Sequence, residues 1–158
     1  RVIGTVSNEF KAGVAREAGT DEIVIYTEHG YEEEIKRLTG GEGAKVVFDS
    51  VGKDTFEKSL KCVATRGHLV LYGQSSGPTP LIDPARLKEK SLSLTKPYLP
   101  HYIATHEELL RRANELFGWL KDGKLRLRID KTYPLESVAT AHELLESRQS
   151  VGKILLTP

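Results

Sequence analysis

Short, β-branched apolar runs alternate with helix-like segments along the first half of the chain, and this alternation is the strongest constraint on its fold. Strands are predicted at residues 2–6, 23–26, 44–49 and 67–72. Helices are predicted between them at residues 9–18, 31–38 and 54–62, where apolar side chains recur at helical spacing. Strands separated by helices of this length form parallel sheets through right-handed crossovers, so we expect an α/β fold.

The second half of the chain contains longer and more polar elements. We predict a short helix at residues 84–89, a strand from Ser91 to Thr95 and a long amphipathic helix at residues 105–122. Residues 125–129 alternate leucine with arginine before an isoleucine, a pattern typical of a half-exposed strand. A helix at residues 135–146 and a strand at residues 153–156 complete the prediction.

Charge and composition argue against several classes of partner. The 158 residues include 23 Lys+Arg and 22 Asp+Glu, and the basic residues are scattered, so neither nucleic acid nor a membrane surface is an expected partner. No apolar run approaches the roughly 20 residues of a membrane-spanning helix. The single cysteine, Cys62, excludes an internal disulfide framework, and we expect a reducing, cytoplasmic location.

Two kinds of catalytic centre find no support in the sequence. The five histidines show no HxxxH or HExxH spacing, and Cys62 has no second cysteine with which to form a zinc cluster. A zinc site is therefore not expected. A Gly-x-Ser-x-Gly nucleophile motif is also absent, so a hydrolase is not indicated.

Polar residues and glycines follow several of the predicted strands. Because ligands of a parallel sheet bind beyond the carboxyl ends of its strands, Ser7, Tyr26, residues 49–52 and residues 72–74 are expected to converge. A dinucleotide site also needs a glycine-rich turn between a strand and a helix. The segment Gly40-Gly41-Glu42-Gly43 precedes a strand instead, so it is predicted to be an ordinary loop.

The end of the first predicted strand carries a hydroxyl and a nearby cation. Folds that bind NAD place an acidic residue at the end of their second strand, whereas this strand ends in Ser7, with Lys11 one helical turn later. A hydroxyl and a lysine suit the 2′-phosphate of NADPH. Spacing alone favours a simpler interpretation, in which Ser7 caps the helix and Lys11 lies on the surface.

Two further turns occupy favourable positions but have simple structural alternatives. Residues 49–52 could contact a ribose or nicotinamide, or could form an ordinary turn before a helix capped by Asp54. Residues 72–77 contain Gly73, which permits close approach of a flat ring, but they could equally form a surface loop. Position in the fold is the argument for either site.

Read together, several segments resemble the C-terminal half of the zinc-free, NADPH-dependent quinone oxidoreductases of the zeta-crystallin type, a branch of the medium-chain dehydrogenase/reductase family. The resemblance spans the whole chain in order. It is carried by Ile3-Gly4-Thr5-Val6-Ser7 with Lys11, Leu38-Thr39-Gly40-Gly41, residues 46–55, Arg66-Gly67, Tyr72-Gly73-Gln74-Ser75-Ser76-Gly77, and residues 143–148 before Gly152-Lys153.

The resemblance implies a Rossmann-type doubly wound sheet that binds NADPH and passes a hydride to a quinone or a related electrophile. It places the 2′-phosphate near Ser7, Lys11, Tyr26 and Arg148. It places the ribose and nicotinamide beside six residues of the two later turns: Ser50, Val51, Tyr72, Gly73, Gln74 and Ser75. The cofactor performs the hydride chemistry, so no catalytic side chain is assigned.

The resemblance also implies that part of the enzyme precedes this chain. The substrate domain, the first Rossmann strand and the glycine-rich turn would all precede Arg1, leaving a gap between the strands at residues 2–6 and 44–49. Residues 1–130 would form the truncated nucleotide-binding domain, and residues 131–158 would return to the substrate domain. A homodimer is expected through the edge strand Ser91 to Thr95. An enoyl or 2-alkenal reductase, or a nucleotide-binding module without turnover, remain alternatives.

Overall fold

The protein divides into two compact units, Arg1–Tyr102 and Ile103–Pro158. A computed structural model describes residues 1–27 and 30–158. His29, one of the histidines considered above, lies outside the described residues. No helix in the described ranges is long and apolar enough to span a bilayer.

The first unit contains two parallel sheets. Strand β1 (Ile3–Val6) pairs with β2 (Glu22–Ile25), in the register that sets Ile3 opposite Glu22. Strands β3 (Ala44–Asp49), β4 (Val63–Leu71) and β5 (Ser93–Thr95) pair in that order. The predicted parallel α/β architecture is therefore confirmed. Within the described residues β1 pairs only with β2 and β3 only with β4, so the expected gap between β1 and β3 is present.

A helix follows each strand of this unit. These helices are α1 (Glu9–Glu17), α2 (Tyr31–Leu38), α3 (Phe56–Cys62), α4 (Ala85–Lys88) and α5 (Leu99–Tyr102). Helix α5 was not predicted from the sequence. The fourth strand was predicted to start at residue 67, whereas β4 begins at Val63, immediately after α3. The earlier start follows from pairing, because Ala44 of β3 lies opposite Val63 across a local register shift.

Two apolar clusters hold the helices against the sheets. In the first, Phe56 and Leu60 of α3 pack with Val63, Leu69 and Leu71 of β4, and all five side chains are at most 6% exposed. The second cluster joins Val24 of β2 to Tyr31 and Ile35 of α2 and to Cys62 of α3. The clusters fix the helices that follow β2 and β3, and thereby the strand ends to which these helices connect.

The second unit is built on one pair of parallel strands. It contains α6 (His106–Lys121), β6 (Ile129–Pro134), a 3₁₀ turn (Leu135–Ser137), α7 (Val138–Glu146) and β7 (Lys153–Thr157). Thr105 caps α6, because its side-chain oxygen accepts a hydrogen bond from the Glu108 amide at 3.1 Å. Strand β6 pairs with β7, with Ile129 opposite Lys153.

Strand β6 begins later than its sequence predicted. The strand predicted at residues 125–129 is wrong, because residues 125–128 lie outside any strand and β6 begins at Ile129. Distant pairing sets this position: the Lys153 amide donates to the Arg128 carbonyl at 2.8 Å, and the Val151 amide donates to the Asp130 carboxylate at 2.9 Å. The alternation of leucine and arginine gave a misleading local signal. Helix α7 likewise begins at Val138, after the 3₁₀ turn, and not at Leu135.

Candidate functional site

A cleft of about 240 Å³ opens between β1 and β3, where the two sheets of the first unit fail to pair. Half of the ten residues predicted to bind the cofactor lie on its walls. They are Ser7, Lys11, Tyr26, Ser50 and Val51. These residues come from the carboxyl ends of β1, β2 and β3 and from the first turns that follow, which is where a parallel sheet binds its ligands.

The hydroxyl of Ser7 is not used to cap α1. Asn8 occupies the N-cap position, and its Oδ1 accepts a hydrogen bond from the Lys11 amide at 2.9 Å. The Ser7 carbonyl accepts a hydrogen bond from Thr27 Oγ1 at 2.8 Å, which ties the end of β1 to the residues after β2. The capping interpretation of Ser7 is therefore wrong, and its side chain lines the cleft instead.

Two turns follow β3 and β4, and the turn after β3 contributes Ser50 and Val51 to the cleft wall. We call residues 50–52 the first turn and residues 72–77 the second turn. The Ser75 amide donates to the Ser50 carbonyl at 3.2 Å, and the Ser76 amide donates to the Val51 carbonyl at 2.8 Å. Tyr72, Gly73, Gln74 and Ser75 thus lie in a turn that is bonded directly to the cleft wall.

Glycine is required at the contact between these turns. A Cβ atom on Gly73 would overlap the Ser50 carbonyl oxygen. Gly52 has φ +88°, a backbone conformation that residues other than glycine rarely adopt. The close approach that the sequence suggested for Gly73 is used here by protein backbone. The helix that follows begins after Thr55 in the N-cap position, so Asp54 does not occupy the cap proposed for it.

Aromatic side chains stand beside the cleft. Phe48 on β3 is 71% exposed and Tyr72 is 58% exposed, and their ring centroids lie 6.5 Å apart in an edge-to-face arrangement. Tyr31 lies on the cleft wall but is buried, which raises the pKa of its hydroxyl to about 12 despite a contact with Ser59. Phe48 was missed because an exposed aromatic residue on a strand carries no distinctive sequence signal.

A second cleft of about 230 Å³ is lined by several cations, and Arg86 and Lys90 among them already bond to neighbouring groups of the protein. Arg86 forms a bidentate ion pair with Glu57, with N–O distances of 2.9 and 2.6 Å. Lys90 Nζ donates to the Lys61 and Val63 carbonyls at 3.2 and 2.9 Å. We therefore regard the cleft between β1 and β3 as the candidate site.

Arg148 lies in the second unit, just after α7, so it is not among the residues of the first unit that surround the cleft. Its backbone has φ +58°, an uncommon conformation for a residue with a side chain. Its predicted contact with the 2′-phosphate stays a prediction.

Comparison with known proteins assigns the family. Residues 18–156 match the family model described as zinc-binding dehydrogenase. The chain belongs to the zinc-binding dehydrogenase family. A relative, quinone oxidoreductase 1 of Escherichia coli, is 42% identical over the whole chain, which covers 49% of that protein. A 2-haloacrylate reductase from Burkholderia sp. is 41% identical over 99% of the chain and 48% of its own length.

A solved structure agrees with this assignment. The Escherichia coli quinone oxidoreductase complexed with NADPH matches all of this chain and 49% of its own, with TM-score 0.93 and 42% identity. This zinc-binding dehydrogenase chain therefore has a Rossmann-type fold and spans about half the length of the curated relatives it matches.

The family description names zinc, but the chain offers no cluster of metal ligands in the ranges described. No group of three or more His, Cys, Asp or Glu side chains among these residues is arranged to hold a metal ion. Cys62, a possible ligand by residue type, is buried in an apolar cluster, and burial raises the pKa of its thiol to about 11. A cysteine binds a metal ion as its thiolate, so Cys62 is poorly suited to that role.

Proposed function

We propose that this chain forms the coenzyme-binding part of an NADPH-dependent quinone oxidoreductase, which transfers a hydride from NADPH to a quinone. The observation that carries the proposal is the cleft between β1 and β3, with Ser7 and Lys11 on one wall and Ser50 and Val51 on the other. The 42% identity to a quinone oxidoreductase supports it. Because the chain covers about half of such relatives, the activity is proposed for the whole enzyme.

The wall at β1 and β2 suits the 2′-phosphate of NADPH. The hydroxyls of Ser7 and Tyr26 can donate to phosphate oxygens, and Lys11 supplies a positive charge. The strand end carries no carboxylate that would repel the phosphate, since Val6 is followed by Ser7 and Asn8. We also propose Arg148 as a residue that contacts the 2′-phosphate.

The wall at β3 and β4 suits the ribose and the nicotinamide. Ser50 offers a hydroxyl, Val51 an apolar surface, and Tyr72 an exposed ring beside Gly73. Gln74 and Ser75 lie next along the second turn. Bound NADPH supplies the hydride, so these residues need only orient the coenzyme and exclude water. We therefore assign no catalytic residue.

Four further features belong to the same proposal. The enzyme would work without zinc, in the cytoplasm and as a homodimer. The dimer would form through the segment from Ser91 to Thr95, which contains β5, the edge strand of its sheet. Residues 1–130 would belong to the nucleotide-binding domain, and residues 131–158 would return to the substrate domain. Sedimentation of the whole enzyme tests the dimer.

A related reaction is the second candidate. The 41% identity to a 2-haloacrylate reductase favours reduction of an activated carbon–carbon double bond by the same coenzyme. An enoyl or 2-alkenal would be the matching substrate class. Rates of NADPH oxidation by the whole enzyme with a quinone and with a 2-haloacrylate decide between the two reactions. NADPH binding without turnover of either substrate would indicate a nucleotide-binding module.

Calorimetric titration of the chain with NADPH and with NADH tests the coenzyme assignment. We expect tighter binding of NADPH. Lys11→Ala should remove this preference, because a charged hydrogen bond to the 2′-phosphate is lost, and the affinity for NADPH should fall about tenfold. Lys88→Ala, which removes a lysine of α4 that does not line the cleft, is the matched control. Failure of the chain and of the whole enzyme to bind either nucleotide would reject the proposal.

A further inference from the structure

We propose that Asp49 is a positioning residue that fixes both turns of the coenzyme site at once. The inference rests on the proposed function, since it concerns the wall assigned to the ribose and nicotinamide. Asp49 is the last residue of β3, is 4% exposed and lies on the cleft wall.

The Asp49 carboxylate organises the first turn. Its Oδ1 accepts hydrogen bonds from the Val51 and Gly52 amides at 2.8 and 3.0 Å. Thr55 Oγ1 lies 2.9 Å from each carboxylate oxygen, and it donates its one hydrogen to this pair. A buried carboxylate is costly unless its oxygens are hydrogen-bonded, so these contacts both stabilise Asp49 and hold the turn in one conformation.

The Asp49 carbonyl holds the second turn. It accepts hydrogen bonds from the Tyr72 amide at 2.9 Å and from the Gly73 amide at 3.3 Å. The second turn then bonds back to the first, since the Ser75 and Ser76 amides donate to Ser50 and Val51. One residue therefore anchors the start of both turns, and movement of its carboxylate would displace Ser50, Val51 and their partners together.

The opposite wall does not depend on this network. The Asn8 side chain caps α1 beside Ser7, and Thr27 Oγ1 donates to the Ser7 carbonyl, so neither contact involves Asp49. Removing the Asp49 carboxylate should therefore weaken binding of the part that NADPH and NADH share. It should leave the preference for the 2′-phosphate unchanged, and this separates positioning from a general loss of structure.

The experiment compares Asp49→Ala with Asp49→Asn in the full chain by amide hydrogen exchange and by nucleotide titration. Asparagine keeps an Oδ1 acceptor for the Val51 and Gly52 amides, whereas alanine removes it. We expect Asp49→Ala to speed exchange of these two amides by about tenfold, the effect of losing a hydrogen bond to a charged group. Exchange of the Ser75 and Ser76 amides should also become faster in Asp49→Ala. In Asp49→Asn the exchange rates should remain close to those of the native protein.

Nucleotide affinity supplies the second measurement. Asp49→Ala should lower the affinities for NADPH and for NADH by the same factor, about tenfold. The ratio of the two affinities should stay unchanged. Asp83→Ala is the matched control, because Asp83 also accepts a backbone hydrogen bond, from the Ala85 amide at 2.8 Å, but lies away from the cleft. It should leave both turns and both affinities unchanged.

The outcomes distinguish this inference from the proposed function. Native exchange at Val51 and Gly52 in Asp49→Ala would overturn the positioning role. Faster exchange with unchanged affinities would also overturn it, since the turns would then not matter for the coenzyme. If the native chain binds neither nucleotide in isolation, the affinities are measured in the whole enzyme. Absence of binding there rejects the proposed function, and the assignment of Asp49 with it.

Discussion

Asn8 Oδ1 accepts a hydrogen bond from the Lys11 amide at 2.9 Å, so the residue beside Ser7, and not Ser7 itself, caps the first helix of the cleft. This arrangement lets one short segment serve two purposes. The amide side chain satisfies a backbone donor at the start of α1, while the Ser7 hydroxyl and the Lys11 side chain remain on the cleft wall.

Replacing this cap should destabilise the first unit. Asn8→Ala leaves a helix N-terminal amide without its side-chain partner, and we expect a loss of about 1 kcal/mol in the free energy of unfolding, measured by urea denaturation. Asn8→Asp keeps an acceptor and should cost little. Ser7→Ala should be nearly neutral for stability, and a loss from Ser7→Ala that matched that of Asn8→Ala would contradict the assignment of the cap.

The contact between the two turns should not tolerate a side chain at Gly73. In Gly73→Ala the new Cβ would overlap the Ser50 carbonyl oxygen, and separating the turns should cost about 1–3 kcal/mol in urea denaturation. Gly13→Ala is the control, because a Cβ at this position in α1 meets no atom within 4 Å. It should stabilise the protein by about 0.5–1 kcal/mol, since alanine favours a helix over glycine. Equal effects of the two substitutions would argue against the tight contact.

Burial of Cys62 should make stability depend on alkaline pH. Burial raises the pKa of its thiol to about 11 in the folded protein, against roughly 8.5 in an unfolded chain. As pH rises above about 8.5, the unfolded thiol loses its proton while the folded one retains it, so the free energy of unfolding falls until the pH passes the folded pKa. Urea denaturation of the native protein and of Cys62→Ala across this range should differ in slope. If the free energy of unfolding changed with pH in the same way in both proteins, the folded structure would not raise the pKa of the Cys62 thiol.

The corrected position of β6 can be tested at Asp130. Its carboxylate accepts a hydrogen bond from the Val151 amide at 2.9 Å, which links β6 to the segment before β7. Asp130→Ala should reduce the free energy of unfolding by about 1–3 kcal/mol, because a hydrogen bond to a charged group is lost. Asp130→Asn should restore much of it. If Asp130→Ala unfolds like the native protein, this link does not stabilise the strand pair.

Several elements were predictable from local sequence because the responsible interactions are local. The strands at residues 44–49 and 153–157 carry β-branched or leucine-rich runs, and the bounds of α2 at Tyr31–Leu38 match the apolar spacing of its sequence. The convergence of Ser7, Tyr26 and Ser50 followed from one rule of parallel sheets, that strand ends meet at a common edge.

The ends of β6 and the roles of Ser7, Asn8 and Asp49 depend on contacts that local sequence does not contain. The position of β6 depends on its pairing with β7, about 24 residues later in the chain. No local pattern in residues 125–134 specifies the register of this pairing. Ser7 and Asn8 are both favourable N-cap residues by type, and in the folded chain Asn8 occupies the N-cap position. The importance of Asp49 was likewise hidden, because its partners Val51, Gly52 and Thr55 are assembled only when the turn folds. Sequence periodicity determines which elements form, whereas hydrogen-bond partners distant in the chain determine their ends and their contacts.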